Sequence, residues 1–93
     1  MIQTWKSQDA KLVFQGRAPK GFPADLVRVT RRKLAQMNAA ASVDDLRMPP
    51  GNRLEQLAGD REGQWSIRVN DQFRLCFVWG RNGPEEVEFV DYH

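Results

Sequence analysis

Buried-type positions recur along this chain with two different periods, and the change falls near its middle. In the first half Ala10, Val13 and Phe14, and then Val27, Thr30, Leu34, Met37 and Ala41, repeat at steps of three and four, the period of a helix face. In the second half Trp65, Ile67 and Val69 alternate with Ser66, Arg68 and Asn70. Phe73, Leu75, Phe77 and Trp79 then alternate with Arg74, Cys76 and Val78, which is the period of a half-buried strand.

The polar residues between these runs supply the boundaries. Residues 2–5 read as a short strand, Ser7 as the N-cap of a first helix and Gly16 as its stop. Residues 17–22 form a basic loop with Pro19 and Gly21, expected to be mobile because it offers little to pack. Pro23 can open a second helix over about 24–39. Ser42-Val43-Asp44-Asp45 resembles a capping box for one further turn, and Met48-Pro49-Pro50 ends any helix. Turns at 59–63, 70–72 and 81–84 separate the later strands, the last of them over 87–92. The expected fold is therefore α+β in one domain over 1–93. Two N-terminal helices pack on a small antiparallel sheet, made of an N-terminal strand plus a C-terminal three-stranded meander.

Composition narrows the function classes. Nine aromatic residues, three of them Trp, supply large packing units for a core drawn from only 93 residues. Cys76 is the only cysteine, and no Cys/His cluster suggests zinc, so neither a disulfide framework nor a metal or other cofactor is expected. No apolar run approaches the roughly 20 residues of a membrane span, and the first residues lack a signal-peptide stretch. A soluble, cytoplasmic setting is the expectation. The net charge of +2 conceals an asymmetry: residues 1–33 hold eight Lys/Arg against two Asp/Glu, and residues 34–93 hold six against ten. The basic half could face a polyanion. The run Arg31-Arg32-Lys33 by itself reads as a solvated helix face.

Strand parity concentrates the chemistry. If Ile67, Leu75 and Phe89 face the helices, then Arg68, Arg74 and Tyr92 share the opposite face with Cys76, Val78 and Val90. That face is partly apolar with isolated cations, which suits a binding site. The competing reading has the arginines lying over an exposed sheet and pairing with Glu88, Asp91 or Asp71. Tyr92 and His93 are the only phenol and the only imidazole, and both groups can move protons. Trp65 and Trp79 fall on the inward parity and read as core, and Cys76 as inert packing.

Three stretches resemble a known family. Gly51-Asn52-Arg53-Leu54-Glu55, the run from Gly59-Asp60-Arg61-Glu62-Gly63 through Trp65-Ser66-Ile67-Arg68 to Phe73-Arg74, and the ending Val90-Asp91-Tyr92-His93 are similar to HigB toxins of the RelE superfamily. The resemblance covers nearly the whole chain. It implies a compact α+β toxin of a type II toxin–antitoxin module that cleaves mRNA in the ribosomal A site without a metal. It also implies a HigA-type helix-turn-helix antitoxin as partner, with operator DNA bound only through that complex. Arg74, Tyr92 and His93 match functional positions of the family, with Asp91 supporting the tail. The sequence departs from some relatives: Ala58 stands where they carry Lys, Glu55 where they carry His, and Asn70 where they carry Arg. Weaker RNA binding or milder toxicity is the expected consequence.

Metal-free RNA cleavage needs a base for the 2′-OH, a cation for the phosphorane and an acid for the leaving 5′-oxygen. Arginine suits the middle role because its planar fork holds two phosphate oxygens and stays charged. On that basis Arg74 is assigned to the phosphorane, with Arg53, Arg61, Arg68 and Asn70 as RNA or phosphate contacts. His93, beside the anions of Asp91 and its own carboxylate, suits an acid. Glu55 or Tyr92 is then left as base, although Tyr92 could equally stack on a nucleobase. The alternative function is a non-catalytic RNA-binding or protein-interaction module of the same fold, acting mainly as operon co-repressor with its partner.

Overall fold

In the computed structural model, which describes residues 1–92, two helices and a four-stranded antiparallel sheet are arranged as an α+β unit. All counts of elements refer to those residues. Helix α1 (Gln8–Phe14) starts where the Ser7 hydroxyl accepts the Ala10 N–H at 3.2 Å. It ends where Gly16 takes a φ of 91° that favours glycine. Pro23 leads into a 3-10 turn at Ala24–Leu26, which runs directly into α2 (Val27–Ala39). Thr30, Lys33, Leu34 and Met37 are the buried residues of α2, at steps of three and four.

The connection between helices and sheet is built from short turns. The Asp45 carboxylate accepts the backbone N–H groups of Ala41 (2.8 Å) and Ser42 (3.2 Å), as the capping-box reading expects, and Leu46 enters the core. A 3-10 turn at Pro50–Asn52 follows, after which Arg53 sits in the left-handed region at φ 45° and ψ 56°.

The sheet has the order β1-β2-β3-β4: β1 (Glu55–Gln56), β2 (Trp65–Arg68), β3 (Phe73–Gly80) and β4 (Gly83–Asp91). The expected meander is β2-β3-β4. The edge strand differs from the expectation. Residues 2–5 do not form a strand; they run beside β4 and make one parallel bridge, Trp5 to Val87. Instead, the two residues after Leu54 pair with Ser66 and Trp65 as β1. A parallel neighbour of β4 at the chain start needs only a few backbone bonds, such as Gln3 N–H to Pro84 O at 2.8 Å and Lys6 N–H to Val87 O at 2.9 Å.

The core lies between α1, α2 and the inner sheet face. Val13, Leu34, Met37, Leu46, Ile67, Leu75, Phe77 and Val87 are fully buried there. Trp65 and Trp79 pack against it from the same face, in line with their parity. The loop at 17–22 has more to pack than its composition suggests. Its Phe22 ring lies 4.4 Å from that of Phe89, which in turn stacks on Phe73 at 4.7 Å.

Candidate active site

Register decides what the outer sheet face presents. Arg68 pairs directly with Arg74 across β2 and β3, and Arg74 with Val90 across β3 and β4. Tyr92, two residues beyond Val90, falls on the same side. The next row is Glu55, Ser66, Cys76 and Glu88. A cleft of about 280 Å³ opens on this face, lined by Arg53, Glu55, Arg68, Asn70, Asp71, Arg74 and Tyr92. Six of the residues singled out in the sequence thus share one cavity.

Arg74 is the floor of the cleft and is buried. Its Nε donates to Ser66 Oγ at 2.8 Å, and its Nη2 donates to the Arg53 carbonyl at 2.7 Å. Its Nη1 stands 3.9 Å from Glu55 Oε1, and its guanidinium carbon 5.6 Å from the centre of the Tyr92 ring. One edge of the fork is therefore locked by Ser66 and Arg53, while Nη1 faces a loosely held carboxylate. Arg68 bonds Asp71 on the cleft rim. Two guanidinium groups directly opposite on one sheet face repel each other, a placement that an intervening anion relieves.

The remaining residues are placed differently. The Asn70 amide oxygen accepts the N–H groups of Gln72 (2.9 Å) and Phe73 (2.7 Å), so it builds the β2–β3 turn and offers only its amide N–H donors to the cleft. Asp91 falls on the opposite parity from Tyr92, opposite Phe73, and accepts from Gln72 Nε2 at 3.0 Å. Arg61 lies outside the cleft lining: its Nη1 donates to Glu88 at 3.2 Å and to Gln64 at 3.0 Å. The bond to Glu88 raises the Arg61 pKa above its ordinary value. The position of His93 lies outside the described residues. Burial pushes the Cys76 thiol pKa up, which fits inert packing. Among the described residues, no group of three His, Cys, Asp or Glu could hold a metal ion, and no helix is long and apolar enough to cross a membrane.

Two groups escaped the sequence reading. Ser66 was legible in principle, since it shares the parity of Arg68 and pairs across from Cys76, two residues from Arg74. Lys33, expected on a solvated face with Arg31 and Arg32, is instead buried while Arg32 is exposed. Its spacing from Thr30 and Met37 places it on the inward stripe of α2.

A family model described as the RelE-like toxin of type II toxin–antitoxin system HigB matches residues 6–93. The chain belongs to the HigB-like toxins. Among relatives, an Endoribonuclease HigB of Proteus vulgaris is 31% identical over 93 residues, covering all of both chains. Toxin HigB-1 of Vibrio cholerae is 49% identical over 58 residues, which span 62% of this chain and 61% of that relative. In fold, the toxin is similar to a chain of the YoeB-YefM complex from Staphylococcus aureus, with a TM-score of 0.63 at 16% identity over 100% of this chain and 98% of that one.

The Glu88 ion pairs bear on the positive charge that this HigB-like toxin can offer to a polyanion. Glu88 holds both Arg61 (3.2 Å) and Lys6 (3.7 Å) on the row beside the cleft. In Glu88→Gln, both cations are released, and binding of single-stranded RNA is expected to become tighter and steeper in its salt dependence. The slope of log K against log salt should grow by about 0.7 for each cation that reaches a phosphate. Fluorescence anisotropy with a labelled oligonucleotide over a salt series measures this, and an unchanged slope would show that the pair does not restrain RNA contacts.

Proposed function

We propose that this toxin is an endoribonuclease that cuts mRNA in the ribosomal A site and so stops translation and growth. The observation that carries the reading is the direct pairing of Arg68 with Arg74 beside Tyr92 in one cleft. Such a site suits a strand that brings a phosphate and a base together: the phosphate between the guanidiniums, the base against the phenol ring. The name of the Proteus vulgaris relative supports the same chemistry.

In this reading the scissile phosphate sits over Arg74 Nη1. A base removes the 2′-OH proton, the 2′-oxygen attacks phosphorus, and the leaving 5′-oxygen takes a proton from an acid. Arg74 stabilises the extra charge of the phosphorane. Glu55, whose Oε1 is 3.9 Å from that guanidinium, is assigned the base role. Tyr92 stacks on the nucleobase, and His93 is assigned the acid role from its sequence position. The cleft presents guanidiniums, which repel a divalent cation, so the reaction is read as metal-independent. Arg53 and Arg68 hold neighbouring phosphates. The partner is a HigA-type helix-turn-helix antitoxin, and operator DNA is reached only through that complex. The protein acts in the cytoplasm, as one domain over 1–93.

The test is a map of mRNA 5′ ends after incubation with purified, programmed ribosomes, with free mRNA and with chelator as parallel arms. Cuts are expected on ribosomes only and unchanged by chelator. Equal cutting of free mRNA would remove the ribosome from the reading, and no cutting at all would favour a binding module. A chain lacking Tyr92 and His93 is expected to fold and yet not arrest growth in cells without antitoxin. Full arrest by that chain would end any role for the tail in catalysis.

A further inference from the structure

Two long cationic side chains are buried among the described residues, Arg74 and Lys33. The first is met by a hydroxyl, a carbonyl and a carboxylate. The second is met by a neutral amide: Lys33 Nζ donates to Asn52 Oδ1 at 2.5 Å, and no ion pair of Lys33 is present among the described residues. A buried ammonium facing a neutral amide is costly, and a methionine would fill similar space without that cost. Burial lowers the Lys33 pKa from its ordinary value, and the neighbouring cations Arg32 and Arg68 lower it further. Arg68 lines the cleft, so the charge of Lys33 acts on the same region.

Asn52 links this lysine to the cleft. It is fully buried, and its Nδ2 donates to Gln36 Oε1 (3.1 Å), Leu46 O (3.1 Å) and Met48 O (3.3 Å). Its side chain therefore ties α2, through Lys33 and Gln36, to the segment that enters the site. The next residue is Arg53, held in the left-handed region with its carbonyl 2.7 Å from Arg74 Nη2. A non-glycine residue keeps that conformation only where its surroundings hold it. The path from α2 to the guanidinium is Lys33, Asn52, the Arg53 backbone and Arg74.

We propose that Lys33 is a positioning residue of the arginine cleft: through Asn52 it fixes the turn at Arg53 whose carbonyl holds the Arg74 guanidinium. Its effect on cleavage rests on the proposed endoribonuclease function; its effect on Arg74 does not. The variant is Lys33→Met, which keeps the bulk and removes the donor. In ¹⁵N-labelled protein, exchange of the Arg74 Nε–H with solvent is expected to speed up at least about tenfold, while core amides such as that of Leu75 keep their protection. On programmed ribosomes the cleavage step is expected to slow roughly 10- to 100-fold, as a misplaced guanidinium would cause.

A double-mutant cycle separates positioning from a general loss of structure. In an Arg74→Ala background, Lys33→Met should slow cleavage no further. Additive losses, or an Arg74 Nε–H that exchanges as in wild type, overturn the proposal. If Lys33→Met loses its dispersed amide spectrum, Lys33→Gln, one bond too short to reach Asn52 in the same way, takes its place with the same two outcomes. Should wild-type protein cleave nothing on ribosomes, the nuclease reading fails, and the exchange comparison alone decides the role of Lys33.

Discussion

Replacing Arg74 with alanine is expected to slow mRNA cleavage on programmed ribosomes by roughly 10²- to 10³-fold, the usual cost of removing one preorganised partner of a developing negative charge. The expectation follows from how the guanidinium is held. Ser66 and the Arg53 carbonyl fix one edge, and the Nη1 side faces the cleft. That orientation exists before any substrate arrives, so little reorganisation is needed during reaction. Arg74→Lys keeps the charge but loses the fork, and is expected to recover only a small part of the rate. Folding must be measured beside activity, because truncation strands the Ser66 hydroxyl in a buried place at a cost of about 1–3 kcal/mol. It also removes the repulsion between Arg74 and its partner Arg68, which offsets part of that loss. Single-turnover cleavage and thermal melting of the same preparations separate the two effects. A folded Arg74→Ala protein that cuts at the wild-type rate would remove this residue from the mechanism.

The largest effect on stability is expected at Phe77. Its ring is fully buried in the core and meets Trp79 edge to face at 6.5 Å. Phe77→Ala removes the buried ring and leaves a cavity that the core closes only in part, a loss of about 3–5 kcal/mol. Total stability of a domain is about 5–15 kcal/mol, so the variant is expected to be marginal or unfolded at growth temperature. For a chain of this size, each kcal/mol lowers the melting temperature by about 4–8 °C. Urea titration of both proteins measures the difference. A loss below about 1 kcal/mol would mean that neighbouring side chains refill the space and that the core is less rigid than its burial implies.

Both sites were legible as residues before they were legible as places. The period-2 alternation of Phe73, Leu75 and Phe77 marks an inward row, and the same alternation puts Arg74 outward with Arg68 and Tyr92. Periodicity is local, and local geometry sets which side of a strand a residue occupies. The first edge strand was not legible, because two residues at Glu55–Gln56 give no alternation to read. The order of the loop ending in Phe22 is not legible for a related reason: its anchor, Phe89, lies far along the chain.

The sequence alone determined the α+β class, the N-cap at Ser7, the stop at Gly16 and the β2–β3–β4 meander, all of which follow from spacing and residue type within short windows, while the family came from the resemblance of three longer stretches. Tertiary structure decided which polar groups meet. It drew Arg74 away from solvent onto Ser66 and Arg53, used the Asn70 oxygen for a turn, gave Arg61 to Glu88, and buried Lys33 against Asn52. Those choices depend on strand register and on how α2 lies over the segment before the sheet. Neither is encoded in the period of any single segment; both arise when distant faces with matching apolar surface are brought into contact.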